Sequence, residues 1–454
     1  MCAAILLSLF AAAAPAAGPA PADEYAFAQK LDALGLPFNA FFHYAAVLKK
    51  GRADPHFIDA AAGAAGAAEE LGDETIAPSL FARIYGDGLP GVPAGRLARI
   101  HAWLSLLAYR SGRYEEAATF AARVPPESAA FPQAQYLAGL LEQRKDPEKA
   151  LATFRAVAAM PRAEPGLREL ASLAAGRTLY ALHRYAEASA AYAALPRFSR
   201  HWDEALFEGA YADLRNGDPG GALGKLHSLH SPHLRDEFVP ESVNLTAILF
   251  QQRCLYPRVR AALEQFHTEY APMRDQAKEV LRAGPPVEEY WRMLSPSDAR
   301  LPPAMKQHLL KNERVASMFA YLGRLAREDA RIRGTPSLAG TLREELLENV
   351  ARQEELTAQL GGKFVQGRLA DMAHLIDVLE GDTELIAFEA TKGEKEMLET
   401  RFDPAAQLAS QRLARPVMPQ TGHEYWPFDG EYWPDEIGYY RYTVKDACPR
   451  SKEE

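Results

Sequence analysis

GRYEEAATFA from Gly112, DPEKALATFRAV from Asp146, HRYAEASAAYAAL from His183 and DPGGALGKLHSL from Asp218 are the stretches that decide the fold. Aligned on Ala117, Ala150, Ala188 and Ala222, they repeat at spacings of 33, 38 and 34 residues, and twelve positions upstream stand Ser105, Ala138, Gly176 and Ala210, all small. A period of this length marks stacked two-helix units, each of which buries its apolar face only against its neighbours. Two antiparallel helices joined by a short turn approach closely only where their side chains are small, and larger residues fill the grooves between. Phe154 and Tyr192, four residues after their alanines, take that filling role, and Pro161, Pro196 and Pro232 end the second helix in three units. A fifth unit, VNLTAILFQQRCLYPRVRAALEQF from Val243, has Ala247 at the small position and Val259 in place of the alanine, with Cys254 in its turn.

These residues resemble the tetratricopeptide repeat (TPR) family over residues 97–268, as the small residue of a first helix facing an alanine of a second recurs at nearly constant phase. The resemblance implies an all-α protein, a TPR-type helical-repeat superhelix whose concave groove holds a protein or peptide partner, with no cofactor and no catalytic residue. Among exported members of that kind it implies envelope work: outer-membrane protein assembly, cell-wall enzyme complexes or motility machinery.

Composition agrees with helices. Of 454 residues 48% are hydrophobic, enough for a large core, and alanine, which loses no side-chain entropy in a helix, far outnumbers the β-branched residues. A net charge of −9 without a long basic stretch gives nucleic-acid binding no electrostatic footing. At the N-terminus the apolar run Ala3 to Ala14, followed by Ala14-Pro15-Ala16 and Ala20-Pro21-Ala22, reads as a signal peptide over residues 1–22, the alternative being an Ala/Pro-rich tail. The expected location is then the periplasm. No transmembrane span is expected, since no stretch reaches the ~20 apolar residues a spanning helix needs.

Between the leader and the repeats, residues 23–96 hold FNAFFHYAAVLKK and PHFIDAAAGAAGAAEEL, one degenerate helical pair, and the Gly/Pro loop GDGLPGVPAG. Residues 269–402 form a helical extension and a long antiparallel hairpin of coiled-coil type. Its second helix is capped by Ser337, carries a stripe through Leu346, Val350, Leu369, Met372 and Leu379, and has a candidate kink at Gly361-Gly362. From residue 403 onward the chain is an aromatic and acidic tail. HEYWPFDGEYWPDEIGYYRYTVKDAC fits no helical period, so it is expected to lie extended across the body, with Trp426, Phe428, Trp433 and Tyr439 as anchors and a short strand at Tyr439 to Val444. An exposed recognition strip is the other reading.

An oxidising compartment would allow Cys254 and Cys448 to form a disulfide, which would make the tail a cap on the last repeat with Trp426 and Trp433 buried; two unrelated thiols are the alternative. His227, His230 and His233 have ligand-like spacing, yet Pro232 breaks their helix and no cysteine or carboxylate joins them, so they read as polar surface histidines and no metal is expected. The motifs G-x-S-x-G, G-x-x-x-x-G-K-[ST] and G-x-G-x-x-G opening a helix after a strand do not occur. The rival is a cell-wall glycosidase or lytic factor with docking repeats, using tail acids such as Asp429, Glu431, Asp435 and Glu436 as a carboxylate pair. A cytoplasmic adaptor is the third reading.

Overall fold

The computed structural model describes residues 23–73, 75–86, 88–400, 402–411 and 430–449. The proposed signal peptide and the tail positions Trp426 and Phe428 lie outside the described residues. Among those residues the chain is all-helical, with 19 helices packed in adjacent pairs and no strand. The chain forms two compact units. One is built from residues up to Leu141 together with Glu313–Gly361, the other from Glu142–Asn312 together with residues from Gly362 onward. Both units draw on distant parts of the chain.

In the first unit, α1 (Glu24–Ala33), α2 (Pro37–Lys49), α3 (Phe57–Leu71) and α4 (Ile76–Ile84) precede α5 (Ala94–Arg110), α6 (Tyr114–Ala121) and α7 (Phe131–Glu142). The two N-terminal stretches expected to pair are α2 and α3. Ala60, Ala61, Ala64, Ala65, Ala67 and Ala68 of α3 are all buried, and α2 comes so near that a Cβ on Gly63 would lie 2.5 Å from the Tyr44 ring. The start of α2 has no side-chain cap of its own. Glu328 of α17 (Glu313–Gly334) supplies one: its carboxylate accepts from Phe38 N (2.7 Å), Asn39 N (3.0 Å) and Asn39 Nδ2 (2.9 Å). Burial raises the pKa of Glu328, and these bonds partly offset the shift by favouring the charged form. At the other end of the pair, Arg324 donates to the Leu71 carbonyl at the C-terminus of α3 (2.9 Å). The following helix, α18 (Gly340–Glu399), begins three residues after Ser337, and its Leu346 and Val350 share a core with Tyr321, Leu325 and Ile332 of α17.

The second unit contains α8 (Pro147–Ala158), α9 (Pro165–Ala181), α10 (Tyr185–Ala193), α11 (Trp202–Arg215), α12 (Pro219–Leu229), α13 (Glu241–Gln251), α14 (Tyr256–Ala283), α15 (Val287–Arg292), α16 (Pro303–Lys311) and α19 (Pro404–Ser410). The remaining turns of α18 run antiparallel to α14. Arg260 meets Glu394 (2.7 Å), Arg274 meets Glu380, and Lys278 meets Asp377 (2.7 Å), so rising numbers on one helix match falling numbers on the other. Asn244 of α13 donates to the Leu379 carbonyl (3.1 Å), so α18, and not the tail, covers this side of the fifth helical pair. The helical assignment of α18 continues unbroken through Gly361-Gly362. A Cβ on Gly362 would overlap the Val287 carbonyl, so the bare position serves close packing.

Six helix-to-helix turns share one design, two of them at Gly35 and Gly72 in the first four helices and four between α5 and α14. In the latter four, Gly112, His183, Gly217 and Cys254 adopt left-handed φ values of 74°, 59°, 76° and 54°. The next residue donates back across the turn: Arg113 to Ala108 (2.9 Å), Arg184 to Leu179 (2.9 Å), Asp218 to Asp213 (2.9 Å) and Leu255 to Phe250 (3.0 Å). This is the Schellman closure, which satisfies a carbonyl that the helix end leaves open. Seven residues before each of these four left-handed residues stand Ser105, Gly176, Ala210 and Ala247, all buried, and five residues after it stand Ala117, Ala188, Ala222 and Val259, each 0% exposed. Ser105 Oγ donates to the Ala117 carbonyl (2.7 Å), and a Cβ on Gly176 would lie 2.6 Å from the Tyr192 ring.

Enlarging an alanine in such a contact overpacks it. Ala150→Leu and Ala188→Leu are each expected to destabilise the protein by about 1–3 kcal/mol, measured as a lower urea midpoint. Wild-type midpoints in both variants would show that these alanines do not sit between helices.

Candidate functional site

The repeat-packing positions read from the sequence are buried, among them Phe154 at 0% and Tyr192 at 3% exposure, except Ala138, which is half-buried. Between α9 and α11, Arg177 donates to Glu208 (2.9 and 3.0 Å from Nε) and to Glu204 (2.7 Å). Burial opposes the charge on Arg177, but the two carboxylates outweigh it and raise its pKa. Phe207 and Tyr211 lie on the same helix, their rings 5.2 Å apart, and Tyr211 is 36% exposed. Between α10, α11 and α12 the buried Asp213 is paired with Lys225 and accepts from Ser189.

The tail lies against α11, α12 and the turn before α14. Gly220, Gly224 and Ser228 recur every fourth residue, a bare stripe along one face of α12. A Cβ on Gly224 would overlap the Tyr440 carbonyl and one on Gly220 the Tyr442 carbonyl, so the tail backbone rests directly on the helix. Gly438 N donates to Ser228 Oγ (2.8 Å), Tyr442 N to the Gly220 carbonyl (3.0 Å) and Ala447 N to the Arg253 carbonyl (2.9 Å). Arg441 pairs with Asp218 (2.8 Å), the residue that caps α12 by accepting from Gly221 N. The expected strand at Tyr439 to Val444 does not form, because the extended backbone meets helix faces and turns and has no strand beside it.

Two side-chain clusters add specificity. Ile437, 0% exposed, enters a core of Trp202, Leu206, Leu229 and Leu234. His227, expected at the surface, is buried because the tail covers it: its ring stacks on Tyr432 (4.2 Å between centroids) and meets the edges of Tyr440 (4.8 Å) and Tyr442 (5.5 Å). Nε2 of His227 donates to the Glu431 carbonyl (3.2 Å), leaving Nδ1 to accept from the Tyr442 hydroxyl (3.2 Å). Trp433 and Tyr439, expected as buried anchors, are 50% and 66% exposed. The turn at Trp433 to Ile437 points Ile437 inward instead, and Arg197 holds the outer side by donating to the Pro434 carbonyl (2.6 Å). Of the acids weighed as a catalytic pair, Asp435 and Glu436 are exposed and Glu431 is half-buried, while Asp429 lies outside the described residues.

Cys254 and Cys448 are paired, with sulfurs 2.06 Å and Cα atoms 5.0 Å apart. Cys254 occupies the slot that Gly112 and Gly217 fill in sister turns, a backbone conformation that strains a residue with a Cβ by roughly 1–2 kcal/mol. His230, the second histidine of the cluster, donates from Nε2 to Ser242 Oγ (2.8 Å), whose own proton goes to the Val239 carbonyl (2.5 Å). Enclosure of its ring by the fold pushes the His230 pKa down to about 4. No group of three or more metal-ligand side chains is found among the described residues, and no helix there is long and apolar enough to cross a membrane. No protein-family model matches the chain, and no curated protein matches it.

Two outcomes follow from this chemistry. Closing a loop of 194 residues is worth roughly 5 kcal/mol under the chain-entropy model. Cys254→Ser and Cys448→Ser should therefore lose similar stability, and the double variant should lose no more than either. Cys254→Gly should melt above Cys254→Ser because glycine relieves the left-handed turn; coincident melts would show that the turn carries no strain. For His230, the unfolded imidazole binds a proton near pH 6.5 and the folded one near 4. Its contribution is complete above about pH 6.5 and is lost as pH falls toward 4, up to about 3 kcal/mol. His230→Gln should reduce the loss of stability between pH 7 and pH 5; equal losses in variant and wild type would remove His230 as the cause.

Proposed function

We propose that the chain is a non-enzymatic, exported scaffold of the TPR type, which binds a protein or peptide partner on its helical pairs during assembly of a cell-envelope complex. One observation carries this reading: an extended segment, the chain's own tail, lies on those pairs and is held by backbone hydrogen bonds together with a few side-chain anchors. Helical pairs that accept one extended peptide have the surface chemistry such scaffolds use for partners. The Cys254–Cys448 pair supports export, because disulfides persist in oxidising compartments. The exposed ring of Tyr211 beside Phe207 offers a partner the aromatic contact that dominates many interfaces.

Affinity purification of the intact chain from native envelopes tests the proposal. A stoichiometric partner should be recovered, and Tyr211→Glu, a change at an exposed position, should weaken its capture about tenfold or more without altering the helical circular dichroism. Hydrolysis of purified cell wall by the isolated protein, or capture unaffected by surface substitutions on α11, would overturn it.

A further inference from the structure

We propose that the face of α11 and α12 beneath residues 430–447 is a receptor site for an extended aromatic peptide, which the chain fills with its own tail and the Cys254–Cys448 bond locks. The inference rests on the scaffold reading and names the segment chemistry that such a partner would carry.

The seat is shaped for a backbone. In PGGALGKLHSL, Gly220, Gly221 and Gly224 weaken the helix, each by about 1 kcal/mol relative to alanine. Two of these three, Gly220 and Gly224, are the points where tail carbonyls pass within the space of a Cβ. The hydrogen bonds from Gly438 N, Tyr442 N and Ala447 N use main-chain donors, which any extended segment possesses. Side-chain selection reduces to one aliphatic pocket, filled by Ile437, and one aromatic cluster around His227, filled by Tyr432, Tyr440 and Tyr442. A matching ligand reads Tyr-x4-Ile-x2-Tyr-x-Tyr, with a turn through the stretch around Ile and an extended run from the second Tyr onward.

The lock is separate from the seat. Cys254 sits in a turn slot that holds glycine at Gly112 and Gly217 and a histidine at His183, and of the two strained occupants it is the one that makes a covalent bond. A dithiol reductant opens the bond by attacking one sulfur and then resolving the mixed disulfide. It leaves as a cyclic disulfide, and two thiols remain on the chain. The tail then stays only as a tethered competitor, at an effective concentration on the order of millimolar.

A fluorescent peptide with the sequence of residues 430–447 tests this by anisotropy. The oxidised wild type should not bind it. A chain truncated after residue 411 should bind it, Ile437→Ala in the peptide should weaken binding about tenfold or more, and Gly224→Val in the truncated chain should abolish it. If truncation unfolds the protein, the full-length Cys448→Ser, Ile437→Ala variant loosens the tail in place and should bind the wild-type peptide. Absence of binding to a folded variant with its tail loosened or removed would overturn the inference, as would equal binding to the oxidised wild type. Should the peptide fail while the envelope partner is still captured, the receptor site falls and the scaffold reading stands. If the peptide binds and no partner is captured, the scaffold reading falls.

Discussion

A left-handed residue closes the first helix of six pairs, and the geometry of those pairs depends on it. Because the reversal occurs at one position, the residues seven before and five after it are brought face to face, and both must be small or compact. Glycine enters this conformation without strain, which accounts for Gly112 and Gly217. His183 and Cys254 are the two departures. Cys254 shows how a repeated architectural slot can be reused: a cysteine there gives a distant segment a covalent point of attachment.

Bare positions serve two purposes in the molecule. In α3, α9 and α18, glycines admit a neighbouring aromatic ring or carbonyl and tighten packing, as at Gly63, Gly176 and Gly362. In α12 they admit the backbone of a non-helical segment. The difference lies in spacing: glycines four residues apart line a groove along the helix, long enough for several consecutive residues of a peptide.

Much of this was legible in the sequence and some was not. The alanine phase, the small residues opposite it and the predominance of helix follow from local spacing, since helix pairing is decided by residues about twelve positions apart. The left-handed slot leaves a signal in the sequence only where it is glycine, as at Gly112 and Gly217, and none at His183 and Cys254. Trp433 and Tyr439 were misplaced because aromatic content says that a tail binds something, not which rings turn inward, and a small turn gave that role to Ile437. Apolar periodicity likewise identified α18 as amphipathic without naming its neighbour, and its pairing with α14 depends on charges 99 to 134 residues apart. The carboxylate that caps α2 is 290 residues away in sequence, beyond any local pattern.

That carboxylate has a consequence for the order in which the molecule assembles. The first unit is discontinuous: α2 and α3 lack Glu328 and Arg324 until α17 has been made, and the whole of Glu142–Asn312 lies between. During synthesis, the alanine-rich N-terminal helices must therefore wait, incompletely covered, for a segment of chain that arrives late. Long-range closure of this kind slows folding, because the entropy of a large loop is lost before the contact rewards it. Meanwhile the helical pairs of the second unit, closed by local turns, are free to form first, so the last part of the molecule to settle is the end that emerged earliest.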